Sequence, residues 1–212
     1  MPGPAPTRTR EEIATAAIAL ADAEGIAAVT MRRVAAEVGL AAMSLYNYLP
    51  RKDDLYDLML DAAMGELDLD TTPSGDWRAD LHAVARQLRR FMHRHPWFPT
   101  LAPARATRAT FGPNNLRYCE YLLGVLAPGG MNPGTALEAV VAFTFTVATH
   151  VNGELTTTNH DLGTRLADLR EALSTNQFPL FAAAIAATDP TEDIETRFHR
   201  TMTRLFDGLT SV

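Results

Sequence analysis

The spacing of hydrophobic and polar positions over the first forty residues predicts two short α-helices. Thr9 and Glu12 fit a capping box that begins the first helix, and Gly25 is placed to end it. Thr30 is placed to begin the second, and Gly39 to end it, because glycine adopts the left-handed conformation without steric cost. Apolar residues recur at helical spacing between these caps.

A third short helix is predicted from Ala41 to Tyr48, since Pro50 disfavours helical backbone just before it. A fourth begins near Asp53 and Asp54, where carboxylates favour the positive end of the helix dipole. Two short helices joined through a glycine, after a supporting helix, form a helix-turn-helix pattern.

The remainder of the chain is predicted to be helical as well. Helices are expected over residues 77–91, 116–126, 133–154, 165–173 and 193–209. Residues 71–76, 95–103, 156–163 and 175–179 are expected to be a linker, a proline-rich connection, a loop and a break. The helix over 133–154 is apolar on nearly every side, which predicts that it is buried.

Composition supports an all-α fold, because alanine and other helix formers far outnumber β-branched runs, and 47% of the residues are hydrophobic. Cys119 is the one cysteine, which excludes an intramolecular disulfide and a cysteine zinc site. No signal peptide and no membrane span are apparent, so a cytoplasmic protein without a membrane partner is expected. Residues 1–8 are expected to form a disordered arm.

The net charge of −6 argues against a general binder of polyanions, but residues 30–52 are locally basic. Arg32 and Arg33 begin the second helix, and Arg51 and Lys52 follow the third, with only Glu37 against them. The positions are suitable for phosphate contacts. The uncharged residues between them are suited to base edges or to an ordinary helical core: Ala42, Met43, Ser44, Tyr46, Asn47 and Tyr48.

The stretch VTMRRVAAEVGLAAMSLYNYLPRKDDLYDLML resembles the N-terminal domain of the tetracycline-repressor (TetR) family of transcriptional regulators. The matching positions are Thr30, Arg32, Ala35, Gly39, Leu45, Tyr46, Tyr48, Leu49, Lys52, Asp53 and Leu55. The resemblance implies that Tyr46, Tyr48 and Lys52 contact phosphates. It also implies that Ala42, Met43, Ser44 and Asn47 face bases. Ala41 departs from the family, many members of which have a capping Ser or Thr there.

Two later stretches are WRADLHAVARQLRRFMHRHPW at residues 77–97 and NPGTALEAVVAFTFTVATHVNGEL at residues 132–155. They resemble the first core helix and the long central helix of the ligand-binding domain of the tetracycline repressor. The resemblance implies a helix-turn-helix domain over 9–60 and a helical effector-binding and dimerisation domain over 61–212. A homodimer is expected to form through the helices at 133–154 and 193–209, although a monomeric core would also explain their apolar stripes.

An effector pocket is expected in the second domain. Its candidate residues are Trp77, Leu81, Val84, Leu88, Tyr118, Phe143, Val147, His150 and Glu154. Val84 and Leu88 stand where tetracycline repressors carry polar drug contacts, which favours an effector more apolar than magnesium–tetracycline. His150 and Glu154 are one turn apart and would orient a ligand, or else form a buried or helix-end pair.

No metal or cofactor is expected. His82 and His93 are about three helical turns apart, and His93 and His95 point to different faces. Cys119 is more consistent with a core thiol than with a redox sensor.

These features predict a ligand-responsive regulator, a repressor released from a palindromic DNA operator by a small, largely apolar effector. The alternatives are an enzyme or a helical small-molecule-binding module without specific DNA binding. An enzyme has less support, because the chain carries no glycine-rich phosphate loop and no nucleophile elbow.

Overall fold

The computed structural model describes residues 8–105, 112–157, 159–173, 177–189 and 191–209. The chain divides into two compact units, Met1–Thr149 and His150–Val212. A domain boundary at residue 60 was expected, but the fourth helix runs through that position without a break.

The described residues contain α-helices and short 3-10 turns and no strand, as the all-α prediction requires. The helices are α1 Arg10–Glu24, α2 Met31–Glu37, α3 Ala42–Tyr48, α4 Lys52–Met64, α5 Trp77–Arg94, α6 Phe98–Arg105, α7 Pro113–Leu126, α8 Pro133–Thr156, α9 Asn159–Ala172, α10 Pro179–Ala186 and α11 Ile194–Leu209.

The first three helices form the predicted helix-turn-helix unit on top of α4. Thr9 and Glu12 make both hydrogen bonds of the capping box at the start of α1, and Thr30 caps α2. Helix α1 packs against α2 and α4, and α2 packs against α3. Fully buried side chains fill the space between them: Ile13, Val34, Leu45, Leu49, Leu55 and Met59. Gly39 has the left-handed φ of 69° that its place in the turn requires.

Arg8, the last residue of the expected arm, contacts the ends of two helices. Its Nε donates a 2.7 Å hydrogen bond to the carbonyl of Val38, and its Nη1 pairs with Glu12. Arg8 thereby satisfies a carbonyl at the end of α2, beside the turn of the helix-turn-helix unit. The arm predicted over residues 1–7 lies outside the described residues.

Helices α6 and α7 lie against α4, and α5 lies against α7. The prediction of a turn-rich connection over 95–103 is wrong in part, because α6 begins at Phe98 and includes Pro103. Pro99 lies in the first turn of this helix, where the missing N–H has no partner to lose.

Helix α8 was predicted to be buried because its residues are apolar on nearly every side, but in the structure one side is buried and another is exposed. Phe143 and Val147 are buried, whereas Leu137 and Val141 are 49% and 47% exposed. By length and composition alone, α8 is also apolar enough to cross a membrane, although no membrane span was predicted from the sequence. A core helix passes the same test, and the buried face of α8 accounts for that apolar content.

The second unit contains the end of α8 together with α9, α10 and α11. Helix α9 begins at Asn159, inside the loop predicted for 156–163, because helix propensity is a weak preference that packing overrides. It packs against α10, and Arg170 donates to the carbonyls of Ile185 and Thr188. Helix α10 starts at Pro179, the last residue of the break predicted over 175–179, and proline is favoured at the first position of a helix.

Candidate functional site

Helix α3 presents a largely uncharged surface to solvent. Leu45 and Leu49 are fully buried and fix its inner face. Met43 is 74% exposed and Tyr46 is 42% exposed, and Asn47 is exposed beside them. Ala42, Ser44 and Tyr48 are half-buried. All six residues proposed from the sequence therefore belong to a single short helix whose inner face is anchored.

Ala41 is the N-cap of α3 and provides no side-chain hydrogen bond, as its identity predicted. Ser44 N–H and Leu45 N–H both donate to the Ala41 carbonyl, over 2.9 and 3.2 Å. Helix α3 therefore starts without the capping energy that Thr30 supplies to α2.

The four basic residues that flank α3 differ in how far they are committed to other groups. Arg33 makes a bidentate pair with Glu24, with distances of 2.6 and 2.8 Å, and Arg51 pairs with Asp54. Arg32 is exposed and makes no ion pair within the described part of the chain. Lys52 is exposed, with its Nζ 5.0 Å from the centre of the Tyr56 ring. Arg32 and Lys52 are thus the two most available cations.

A cavity of about 220 Å³ lies within the first unit, beside α4. Its described lining comes from α4 to α8 and the residues just before α7. The apolar part consists of Leu60, Met64, Met92, Phe98, Ala102, Pro103, Val140, Val141, Phe145 and Ala148. The polar part consists of Asp57, Asp61, Arg105, Asn115, Tyr118, Cys119 and Thr144, with Gly112 at the edge.

Arg105 joins α6 to the first half of α4. Its Nε donates to Asp57 over 2.6 Å, its Nη1 donates to the Asp53 carboxylate over 2.9 Å, and its Nη2 donates to the Asp53 carbonyl. The hydrogen bond to Asp57 is the main reason that the pKa of Arg105 is raised above its usual range. The guanidinium is thus held in place at the cavity wall.

Asp61 is held by the first turn of α7. Its Oδ1 accepts the backbone N–H of Asn115 over 2.9 Å, and its Oδ2 accepts from the Asn114 side chain over 3.3 Å. The start of a helix is a favourable place for a carboxylate. Gly112 leaves the necessary space, since a Cβ there would lie 2.1 Å from Asp61 Cγ.

Tyr118 and Cys119 complete the polar wall. The Tyr118 hydroxyl hydrogen-bonds to Thr144 Oγ1 over 2.9 Å, and burial raises the pKa of Tyr118 far above its usual value. Burial also raises the pKa of the Cys119 thiol, which keeps it protonated near neutral pH and suits the predicted core role.

Of the nine effector residues proposed from the sequence, Tyr118 is the one found in this lining. Leu81, Val84, Leu88, Phe143 and Val147 are buried, but the described wall of the cavity does not include them. Trp77 starts α5, where its ring lies against Gly129 and Arg78. Neighbouring residues on the same helices, such as Met92 and Thr144, line the cavity instead.

His150 and Glu154 belong to the second unit, where they form a 3.2 Å ion pair that is mostly shielded from solvent. The ring of His150 also contacts Phe198 edge-on, with centroids 5.1 Å apart. Of the two structural alternatives considered for this pair, the contacts correspond to a buried pair.

His95 is a buried structural residue. Its Nδ1 lies 2.9 Å from Asp22 of α1, and its Nε2 lies 3.1 Å from Glu66 just after α4. Trp97 donates to the same Asp22 over 2.7 Å. In the described ranges, no three His, Cys, Asp or Glu residues are grouped as a metal site would require.

Sequence reasoning missed Asp57, Asp61 and Arg105. A signal was present, because Asp57, Leu60, Asp61 and Met64 recur at the spacing of one helix face. Two carboxylates on an otherwise apolar stripe indicate a polar group inside the fold. Arg105 could not be paired with them from sequence, since it is 48 residues from Asp57.

Comparison with known proteins agrees with the fold and with the helix-turn-helix unit. Residues 13–59 match the family described as bacterial regulatory proteins, tetR family. Residues 69–212 match the family described as tetracyclin repressor-like, C-terminal domain. The two matches leave residues 60–68 between them, which include the last residues of α4.

Individual proteins give the same result. The chain is 33% identical to the HTH-type transcriptional repressor DrrR1 of Streptomyces coeruleorubidus, over 98% of this chain and 79% of that protein. It is 36% identical to an HTH-type transcriptional regulator of Saccharopolyspora erythraea, over 76% of this chain and 68% of that protein.

Among solved structures, the TetR family protein ActR of Streptomyces coelicolor, crystallised with (S)-DNPA, has the same fold. Its TM-score is 0.83 at 24% identity, and the alignment covers 97% of this chain and 98% of ActR. The chain therefore belongs to the tetR family of bacterial regulatory proteins, and it is a transcriptional regulator rather than an enzyme.

Proposed function

We propose that this chain is a ligand-responsive repressor, which binds a palindromic operator as a homodimer and leaves it when an effector fills the cavity beside α4. The observation that carries this proposal is the course of α4. Lys52, at its first residue, is an exposed cation beside the reading helix, and Asp57, Asp61 and Met64 of the same helix line the cavity. A ligand that shifts this helix therefore acts on both ends of it.

The DNA contacts proposed are those of α3 and its flanking cations. Arg32 and Lys52 would contact phosphates, together with Tyr46 and Tyr48. Met43, Ser44 and Asn47 would face the bases of the major groove, where Asn pairs with adenine and apolar groups pack on thymine methyls. The Arg33–Glu24 pair would orient the start of α2, because Arg33 is already bidentate.

The effector role is supported by the cavity and by relatives. ActR has been crystallised with actinorhodin, and DrrR1 is described as a repressor. A cavity with a mostly apolar wall and a few convergent polar groups is the usual form of a small-molecule site. We assign DNA binding to residues 9–60 and effector binding to residues 61–212, with Asp57 and Leu60 of α4 also in the effector site.

The homodimer is supported by the exposed apolar face of α8. Leu137 and Val141 are one turn apart, and Val141 also lines the cavity. A hydrophobic face of this kind is usually covered by another subunit. Helices α8 and α11 would pair with their copies, and the two reading helices would address half-sites about 10 base pairs apart. The place of action would be the cytoplasm, where the operator DNA is.

The function is tested by gel shift with the DNA that flanks the chain's own gene, at about 0.15 M salt and with excess competitor DNA. We expect a specific complex that Arg32→Ala weakens. Arg86→Ala, which removes an exposed arginine of α5, is the matched control and should leave binding unchanged. A helical binding module without DNA function would give no specific complex with the unaltered protein.

A further inference from the structure

The described wall of the cavity carries more negative than positive charge. Asp57 and Asp61 contribute two carboxylates and Arg105 contributes one guanidinium. Asp57 and Asp61 are four residues apart on α4, so both project from the same face of the helix. A ligand that enters therefore meets, among the described residues of the wall, two carboxylates and one guanidinium.

Arg105 is committed to α4 and is poorly available to a ligand. Its side chain is 9% exposed, and its Nε and both Nη atoms already donate to Asp57 and Asp53 at hydrogen-bonding distance. An anionic ligand would have to break these charge-assisted hydrogen bonds and then lie beside the released carboxylates. The arrangement disfavours an acid as the effector.

Asp61 differs from Arg105 in that its hydrogen-bond partners are uncharged. Its oxygens accept hydrogen bonds from two neutral donors, the Asn115 backbone N–H and the Asn114 amide. Within the described part of the chain, no basic side chain forms an ion pair with it. Among the described residues its hydrogen bonds are thus satisfied without an opposite charge beside it, and a carboxylate beside apolar surface attracts a cation.

The rest of the wall favours a flat, apolar ligand. Met64 and Met92 provide thioethers, which adapt to ring edges, and Phe98 and Phe145 provide aromatic rings. A wall of this kind binds an aromatic skeleton without demanding polar substituents around it.

We propose that the effector is a largely apolar aromatic molecule bearing a protonated amine, and that its ammonium group binds Asp61 with Asp57 beside it. This rests on the proposed function only in naming the bound molecule an effector. The binding itself follows from the charge and shape of the cavity. Asp61 sets the preference for a cation, and the methionine and phenylalanine side chains hold the ring.

The test uses three fluorescent probes that share an anthracene ring and differ in the charge of one substituent: anthracenylmethylammonium, anthracenylmethanol and anthracenecarboxylate. Each is titrated against the full chain by fluorescence polarisation. We expect the ammonium probe to bind about tenfold more tightly than the alcohol, because it gains a charged hydrogen bond, and the carboxylate to bind most weakly.

Asp61→Asn separates charge from shape, because the amide oxygen can still accept the Asn115 backbone N–H. We expect it to remove the advantage of the ammonium probe and to leave the alcohol within about twofold of its original affinity. Glu120→Gln is the control, since it removes one carboxylate from the exposed side of α7. If Asp61→Asn does not fold, Asp57→Asn is the second variant, with a reduced ammonium preference expected.

Tighter binding of the carboxylate probe, an ammonium preference that survives Asp61→Asn, or no binding of any probe would overturn the proposal. Operator binding is measured on the same samples. Operator binding without an ammonium preference would overturn this inference alone. An ammonium preference in a protein that binds no operator would overturn the proposed function and leave the inference standing.

Discussion

The side chain of Asp61 takes its position because Gly112, which lies against it, has no side chain. The Asp61 carboxylate occupies the space in which a Cβ of residue 112 would lie. The carboxylate then receives the first-turn N–H of Asn115. The position of a charged group in the cavity wall therefore depends on Gly112. This glycine is needed for the space it leaves and not for a positive φ.

Gly112→Ala should destabilise the fold by about 1–3 kcal/mol, because the new methyl group overlaps the Asp61 carboxylate and forces it away from α7. Urea unfolding measures the change. Gly124→Ala is the matched control on α7, where a Cβ meets nothing within 4 Å. It should stabilise by about 0.5–1 kcal/mol, since alanine is the better helix former. Equal effects of the two substitutions would contradict the packing described around Asp61.

Glu66 links His95 and Arg94 to the end of α4. Burial raises the pKa of Glu66. Hydrogen bonds from His95 and Arg94 lower the pKa by more than burial raises it, so that it lies below the ordinary 4.5. A carboxylate with a lowered folded-state pKa stabilises the fold above its unfolded pKa. That contribution is lost as the pH falls through the folded pKa.

Glu66→Gln should therefore flatten the fall in melting temperature between about pH 5.5 and pH 3.5. The measurement is thermal unfolding by circular dichroism across that range. Glu120→Gln, which removes an exposed carboxylate from α7, should keep the slope of the unaltered protein. If Glu66→Gln left the slope of melting temperature against pH unchanged, Glu66 would have no part in acid stability.

Helices α2 and α3 differ mainly in how they begin. Thr30 accepts the N–H of Arg33, whereas Ala41 offers no side-chain acceptor to α3. Helix α3 is seven residues long, which is too short to be stable by itself. It is held by Leu45 and Leu49 from below.

Ala41→Ser should stabilise the protein by about 1 kcal/mol by capping α3, and Thr30→Ala should destabilise it by a similar amount. Chemical unfolding at neutral pH measures both. If Ala41→Ser left the unfolding free energy unchanged, the first turn of α3 would already be fully satisfied by other groups.

Caps and apolar spacing were sufficient to predict the helices of the first sixty residues, because each local signal agreed with the packing. Thr9, Thr30 and Gly39 have the predicted roles. Later elements were harder, since α6 forms despite two prolines and α9 despite a run of weak helix formers. The cavity was mostly missed because its polar wall pairs residues, such as Asp57 and Arg105, that are distant in the sequence.

At the scale of the molecule, α8 exposes an apolar strip, Leu137 and Val141, that is expected to be covered in a dimer. Leu137→Glu places a charge in that strip, and burying an unpaired charge is costly. We expect light scattering to show about twice the chain mass of 23.1 kDa for the unaltered protein and a lower average mass for Leu137→Glu. Leu116→Glu alters an equally exposed leucine of α7 and serves as the control. A monomeric unaltered protein would exclude the proposed dimer.

Recognition of DNA by residues 30–52 is the central claim, and operator affinity measured across single-base variants and salt concentrations tests it most directly. We expect Lys52→Ala to weaken binding to every sequence and to lower the salt slope by about one. Asn47→Ala should instead cost about 1–3 kcal/mol at particular bases and leave the slope intact. Equal losses on all sequences from Asn47→Ala, or an unchanged salt slope in Lys52→Ala, would contradict the assignment of α3 as the reading helix.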